Sequence, residues 1–161
     1  LGSARRAGGT RPLAARRDGV AEPYFRSRIV PLLGAGIEFL GELAERDKPA
    51  FLGNATALLF PIDWPEPFGL AMIEAMSCGT PVLAWASGSV PEIVENGVSG
   101  FVVHSMDEAL AKARVIGALD RRQVRRRFEK RFVASRMAQD YLSVYHSLWR
   151  RRLSMTHEAR G

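Results

Sequence analysis

The sequence predicts an α/β domain built on a parallel sheet flanked by helices, and three observations carry that prediction. Two short apolar runs, Ala57 to Phe60 and Pro81 to Trp85, have the length of strands buried on both faces of a parallel sheet. Between them lies one helical segment, which is the strand–helix–strand order of a crossover unit. A third short apolar run, Phe101 to Val103, follows a turn at Asn96 and Gly97 and adds a further strand.

Taken in order, Leu1 to Val20 is rich in Arg, Gly and Ala without apolar periodicity, so a disordered or altered leader is expected there. Glu22 to Leu33 reads as a helix with Tyr24, Phe25, Ile29 and Leu32 on related faces, weakened at its end by Pro31. Gly34 and Gly36 break the chain before an expected strand, Ile37 to Leu40. A helix capped by Asp47 follows, with Pro49 tolerated in its first turn and Lys48 a solvated charge.

The helix between the two central strands has unusual ends. Pro67 suits the first helical position and disfavours helical dihedrals at Glu66, which places Glu66 at the cap. The amides of Phe68, Gly69 and Leu70 then lack intrahelical partners, and Gly69 has no side chain to hold a ligand away. That is the geometry of an anion site at a helix N-terminus. Glu74 sits in LAMIEAM, apolar on nearly every face, so it is expected to be a buried carboxylate that needs partners. At a rise of ~1.5 Å per residue, Glu66 and Glu74 lie about 12 Å apart along such a helix, a span that a sugar, a diphosphate and a ribose fill in line.

After the second strand, Gly88 permits a close backbone approach or an unusual dihedral, and Pro91 with Glu92 begins a short helical turn. Asp63 to Pro65 is expected to shape the loop that presents Glu66. Ser105 or Asp107 caps a helix to about Leu119. Arg121 to Phe132 is a basic helix with Val124, Phe128 and Phe132 at helical spacing. Ser135 is the expected cap of a last helix with Met137, Tyr141, Val144, Tyr145 and Leu148 on its apolar face, and Arg150 to Gly161 is expected to be a frayed tail.

Composition narrows the function classes. The chain has 161 residues, 47% hydrophobic and 25% charged, which is globular composition with material for one core. No apolar run reaches the ~20 residues that span a bilayer and no leader resembles a signal peptide, so a cytoplasmic location is the default expectation. Cys78 is the single cysteine and reads as a small buried residue. His104, His146 and His157 are dispersed without metal-ligand spacing, and no Walker sequence, nucleophile elbow or repeat appears. The net charge of +6 comes from arginine clusters toward both ends. It leaves open a nucleic-acid or lipid-surface module using Arg121 to Arg131, against the plainer reading of an amphipathic surface helix.

The string EPFGLAMIE resembles the E-x7-E motif of retaining glycosyltransferases with the GT-B fold, the glycogen-synthase-like and mannosyltransferase-like group called family 4. The likeness runs in order through FLGEL, LLFPIDWPEPFGLAMIEAMSCGTPVLAW, GSVPEIVENGVSGFVV and RRRFEKRFVASRMAQDYLSVYHSLW. It implies a Rossmann-like, donor-binding C-terminal domain at residues 21–133, incomplete on its N-terminal side, with residues 134–161 as a terminal helix and tail. A whole GT-B enzyme has a second, acceptor-binding domain, and the chain begins without Met, so a fragment is expected.

By that resemblance Glu66 meets hydroxyls of the donor sugar and supports charge at the anomeric carbon. Phe68, Gly69 and Leu70 offer amides to the sugar and phosphates, Glu74 accepts from ribose hydroxyls, and Leu43 matches a hydrophobic position beside the base. An ordinary core leucine is the alternative for Leu43. The donor implied is a UDP-, GDP- or ADP-sugar, with no metal or cofactor and no assigned nucleophile. The diphosphate-gripping Arg and Lys of the family have no match by pattern in the leader. The expected partners are the nucleotide-sugar donor, an acceptor of unknown identity and the absent N-terminal domain, with peripheral membrane contact and without nucleic acid. The isolated chain is expected to be inactive; a non-catalytic nucleotide-sugar-binding remnant is the alternative.

Overall fold

The structure is a computed structural model and describes residues 21–34 and 36–158; the leader expected at 1–20 lies outside them. The chain forms two compact units, the first ending at Glu45 and the second beginning at Arg46.

In the first unit the expected helix breaks into three pieces: α1 at Ala21–Tyr24, a π turn at Phe25–Ile29 and a 3-10 turn at Val30–Leu32. Pro31 sits in the last of these, where its missing N–H and its ring prevent a regular ladder. The strand expected at Ile37 to Leu40 does not form. Gly34 and Ile37 make one isolated antiparallel bridge instead, and Ile37, Phe39 and Leu40 are exposed. A strand needs a neighbour for its backbone groups, and no strand is present among the described residues of this unit. Phe25 and Phe39 pack with their rings tilted by 56°, 4.7 Å between centroids.

The second unit holds the sheet, with elements in the order α2 (Lys48–Asn54), β1 (Leu58–Phe60), α3 (Leu70–Ser77), β2 (Val82–Trp85), α4 (Val90–Ile93), β3 (Gly100–Val103), α5 (Met106–Ala113), α6 (Arg121–Arg131) and α7 (Ala134–Glu158). The three strands lie in the order β1-β2-β3, all parallel, with Leu59 opposite Leu83 and Leu83 opposite Phe101. The central strand is buried as expected, Val82, Leu83 and Ala84 on both faces. β1 is not: Leu59 is 62% exposed, and only Phe60 of this strand is buried. At Gly100 an added Cβ would lie against the Val82 backbone, which explains a residue without a side chain at the β2–β3 contact.

The core on one face of the sheet gathers Met72, Ala75, Met76, Val82, Val90, Ile93 and Val124, with Phe128 and Phe132 of α6 packed against it. The helical spacing of Val124, Phe128 and Phe132 therefore marks a core face. A smaller cluster of Leu83, Val103 and Ile116 lies apart from it. Cys78 is half-buried rather than buried.

Of the caps expected from the sequence, Asp47 precedes α2 but its side chain makes no cap hydrogen bond, whereas Ser105 does cap its helix. Ser105 caps α5, accepting from the Glu108 amide at 3.2 Å, while Glu108 reaches back to the His104 amide at 2.9 Å. Asp120 caps α6 through the Arg122 amide at 2.8 Å. α3 ends in a Schellman turn: Gly79 at φ +72° donates to the Met76 carbonyl and Thr80 to the Ala75 carbonyl, both at 2.9 Å. At Asn96 the side chain accepts from the Val102 amide at 2.8 Å.

Three boundaries differ from expectation. α5 stops at Ala113, and a separate 3-10 turn covers Ile116–Ala118. α7 begins one residue before the expected cap Ser135. It continues to Glu158, because residues 150–158 contain neither Gly nor Pro to stop it. The apolar face of α7, with Met137, Tyr141, Val144, Tyr145 and Leu148, is exposed.

Candidate functional site

Glu66 lies in the turn between β1 and α3, flanked by Pro65 and Pro67. The helix does not start at Pro67. It starts at Leu70, and Gly69 is its cap residue in the left-handed region at φ +73° and ψ +60°. The Glu66 carboxylate still acts as a cap, because its Oε1 accepts the Gly69 amide at 2.9 Å. Of the amides expected to be open, Gly69 is thus taken by Glu66 itself. Leu70 and Ala71, as the first residues of the helix, have no carbonyl one turn earlier to accept from them. The side chains of Phe68 and Leu70 are exposed, so the tip of α3 faces outward in this unit.

Glu74 corrects a second expectation. It is not a buried carboxylate: α3 buries Met72, Ala75 and Met76, and the Glu74 side chain lies off that face, 39% exposed. Lys48 Nζ donates to its Oε1 at 3.3 Å, so Lys48 is a partner of the motif and not merely a solvated charge. With an oxygen facing this cation and part of the group open to solvent, Glu74 can accept further donors at little desolvation cost.

The loop after β2 grips the Glu66 turn from the other side. Ser87 Oγ donates to the Trp64 carbonyl at 2.8 Å, and the Ser89 amide donates to the Glu66 carbonyl at 2.9 Å. Gly88, at φ +52°, realises the close approach expected of it. Neither Ser87 nor Ser89 was legible as a site residue; the Gly-Ser-rich loop was the available signal, and its target lies more than twenty residues earlier. Leu43 belongs to the first unit, and Glu66 and Glu74 to the second.

The arginines of α6 have structural work. Arg121 donates to the Ala55 and Gly53 carbonyls, each at 2.7 Å, and to Thr80 Oγ1 at 2.8 Å. Arg125 donates to the Ser77 carbonyl, and Arg131 to the Glu92 and Ile93 carbonyls. One helix thus sets a guanidinium on the C-terminal carbonyls of α2, α3 and α4 in turn, where a cation is favoured by the helix dipole. Arg127 pairs with Glu95 at 3.0 Å and Arg126 with Asp120 at 3.7 Å. An open basin of about 680 Å³ lies along this helix, lined by Arg121, Arg122, Arg125, Cys78 and Gly79. It sits at the C-terminal end of α3, the opposite end from Glu66, and the chemistry of the motif is not there.

Among the described residues no three of His, Cys, Asp and Glu gather as metal ligands, and no helix is long and apolar enough to cross a membrane.

Comparison with known proteins places this geometry. The D-inositol 3-phosphate glycosyltransferase of Streptomyces scabiei is 36% identical over 102 residues, which are 62% of this chain and 22% of that protein. Among solved structures, Anabaena HepE in complex with UDP-glucose superposes with a TM-score of 0.66 at 28% identity, covering 84% of this chain and 38% of that one. Sucrose-phosphate synthase from Thermosynechococcus elongatus superposes at 0.69 and 29%, covering 83% and 36%. The chain therefore spans well under half of these relatives, and its parallel sheet with flanking helices is the GT-B type of fold that they share. The family profile described as glycosyl transferases group 1 matches residues 31–132, from before the sheet to the end of α6, and the chain belongs to that family.

Proposed function

We propose that this chain supplies the donor-binding part of a glycosyltransferase that moves a sugar from a nucleotide diphosphate sugar to an acceptor hydroxyl with retention of configuration. The observation that carries the reading is the pairing of two half-open glutamates at one short helix: Glu66 in the turn that caps the outward tip of α3, and Glu74 one turn into it beside Lys48. HepE, a structural neighbour, holds UDP-glucose, which makes that compound the first donor to test.

In this reading the free Oε2 of Glu66 accepts from hydroxyls of the donor sugar, while Oε1 stays on Gly69 and fixes the side chain. The Leu70 and Ala71 amides and the N-terminal dipole of α3 face the diphosphate, where oriented donors stabilise the charge that develops on the leaving group. Glu74 accepts from the ribose hydroxyls, with Phe68 walling the site, and Leu43 is the hydrophobic residue assigned to the base. The route needs no metal or cofactor. Turnover requires an acceptor-binding part as well, so the chain alone binds donor without transferring it. In the same reading the donor domain is assigned to residues 21–133, with α7 as the terminal helix that follows it.

Calorimetric titration with UDP-, GDP- and ADP-glucose tests the reading. Binding of one of the three, lost in Glu66→Ala and in Glu74→Ala, is the expected result; binding of none overturns it.

A further inference from the structure

The Glu66 turn is solvent-facing and bracketed by two prolines, yet its backbone is held from behind at two points. The Ser89 amide takes the Glu66 carbonyl at 2.9 Å and Ser87 Oγ takes the Trp64 carbonyl at 2.8 Å. Between those two anchors Gly88 lies so close that a Cβ built on it would stand 2.4 Å from both the amide nitrogen and the carbonyl oxygen of Glu66, and 2.8 Å from the Pro65 carbonyl carbon. All three obstacles are backbone atoms, which no side-chain rotation moves aside. The same residue has φ +52°, a conformation that a side chain also disfavours.

We propose that Gly88 is the positioning residue of the Glu66 carboxylate: the absence of a side chain there lets the loop after β2 seat against the turn and set the carboxylate onto the Gly69 amide. The proposal rests on the reading of Glu66 as the sugar contact and adds the device that aims it. A recognition carboxylate has to be held to within about 0.5 Å by its supporting shell. Here that shell is a loop twenty-two residues away in sequence, and its contact with Glu66 runs through main-chain atoms alone. Ser89 Oγ supports this division of labour, since it is buried without a partner among the described residues while the amide of the same residue carries the contact.

Amide hydrogen exchange on the chain without ligand tests the proposal, because the Gly69 N–H is protected by the Glu66 carboxylate. Gly88→Ala is expected to speed Gly69 exchange by about tenfold or more, with α6 exchange unchanged, and to weaken UDP-glucose binding by a similar factor. Gly97→Ala is the control: Gly97 is also left-handed, at φ +76°, but an added Cβ there meets nothing within 4 Å, so Gly69 exchange should not change. If Gly88→Ala does not fold, Ser87→Ala removes only the Trp64 tether and should speed Gly69 exchange by about threefold. Gly69 exchange unaltered in the folded variant overturns the proposal. A chain that binds no nucleotide sugar refutes the donor reading instead, and Gly69 exchange then still decides whether Gly88 holds Glu66.

Discussion

Lys48 and Glu74 meet across the first turn of α2 and the middle of α3, Nζ to Oε1 at 3.3 Å, with side chains 30% and 39% exposed. A pair this open contributes little to stability, about 0–1 kcal/mol after solvent screening. Its consequence is orientation of the carboxylate. Glu74→Gln should therefore lower stability by no more than about 1 kcal/mol in urea unfolding. The same change should weaken UDP-glucose binding by about tenfold, the cost of replacing a charged acceptor at a ribose. A large loss of stability with unchanged binding would make Glu74 a structural residue.

Arg121 joins α6 to the last carbonyls of α2 and to Thr80, whose own hydroxyl donates to the Leu52 carbonyl at 2.6 Å. Lysine cannot reproduce the forked geometry. Arg121→Lys should cost about 2–3 kcal/mol in urea unfolding, since bonds from a charged donor are lost and carbonyls are left short of partners. Arg122, whose side chain has no partner among the described residues, should tolerate the same change within about 0.5 kcal/mol.

Gly79 turns the chain out of α3 at φ +72°, with the Arg121 carbonyl oxygen 2.8 Å from where a Cβ would stand. Crowding against backbone adds to the left-handed strain, so Gly79→Ala should cost about 2–3 kcal/mol in a thermal melt. Gly97→Ala, strained but uncrowded, should cost about 1–2 kcal/mol. Equal losses at the two positions would show that the dihedral alone matters.

The basic run of α6 should not make the chain a nucleic-acid binder. Arg125, Arg126 and Arg127 are paired with the carboxylates of Glu129, Asp120 and Glu95, and Arg121 and Arg131 are turned onto helix-end carbonyls, which leaves few cations placed to meet a phosphate chain. Fluorescence anisotropy with a labelled single strand should detect only weak binding that vanishes at physiological salt. Tight binding with a steep salt slope, indifferent to UDP-glucose, would assign α6 to that role.

Much of the fold and part of the site were determined by sequence alone, because the signals are local. The apolar runs of β2 and β3, the helical spacing of Val124, Phe128 and Phe132 and the Ser105 cap all depend on neighbours within a few residues. Motif order within one segment likewise pointed to Glu66 and Glu74. Tertiary structure decided what depends on contacts distant in the chain. The start of α3 moved to Leu70 as Gly69 turned left-handed under the Glu66 carboxylate, with the turn seated on the loop at Gly88. Glu74 is half-open beside Lys48 because an apolar sequence around a helix does not say which side another element covers. The segment Ile37 to Leu40 has strand composition but no strand to pair with. The α6 arginines read as a charged surface until α2, α3 and α4 brought their terminal carbonyls within reach: a charge is written in one residue, but its partner is chosen by the packing.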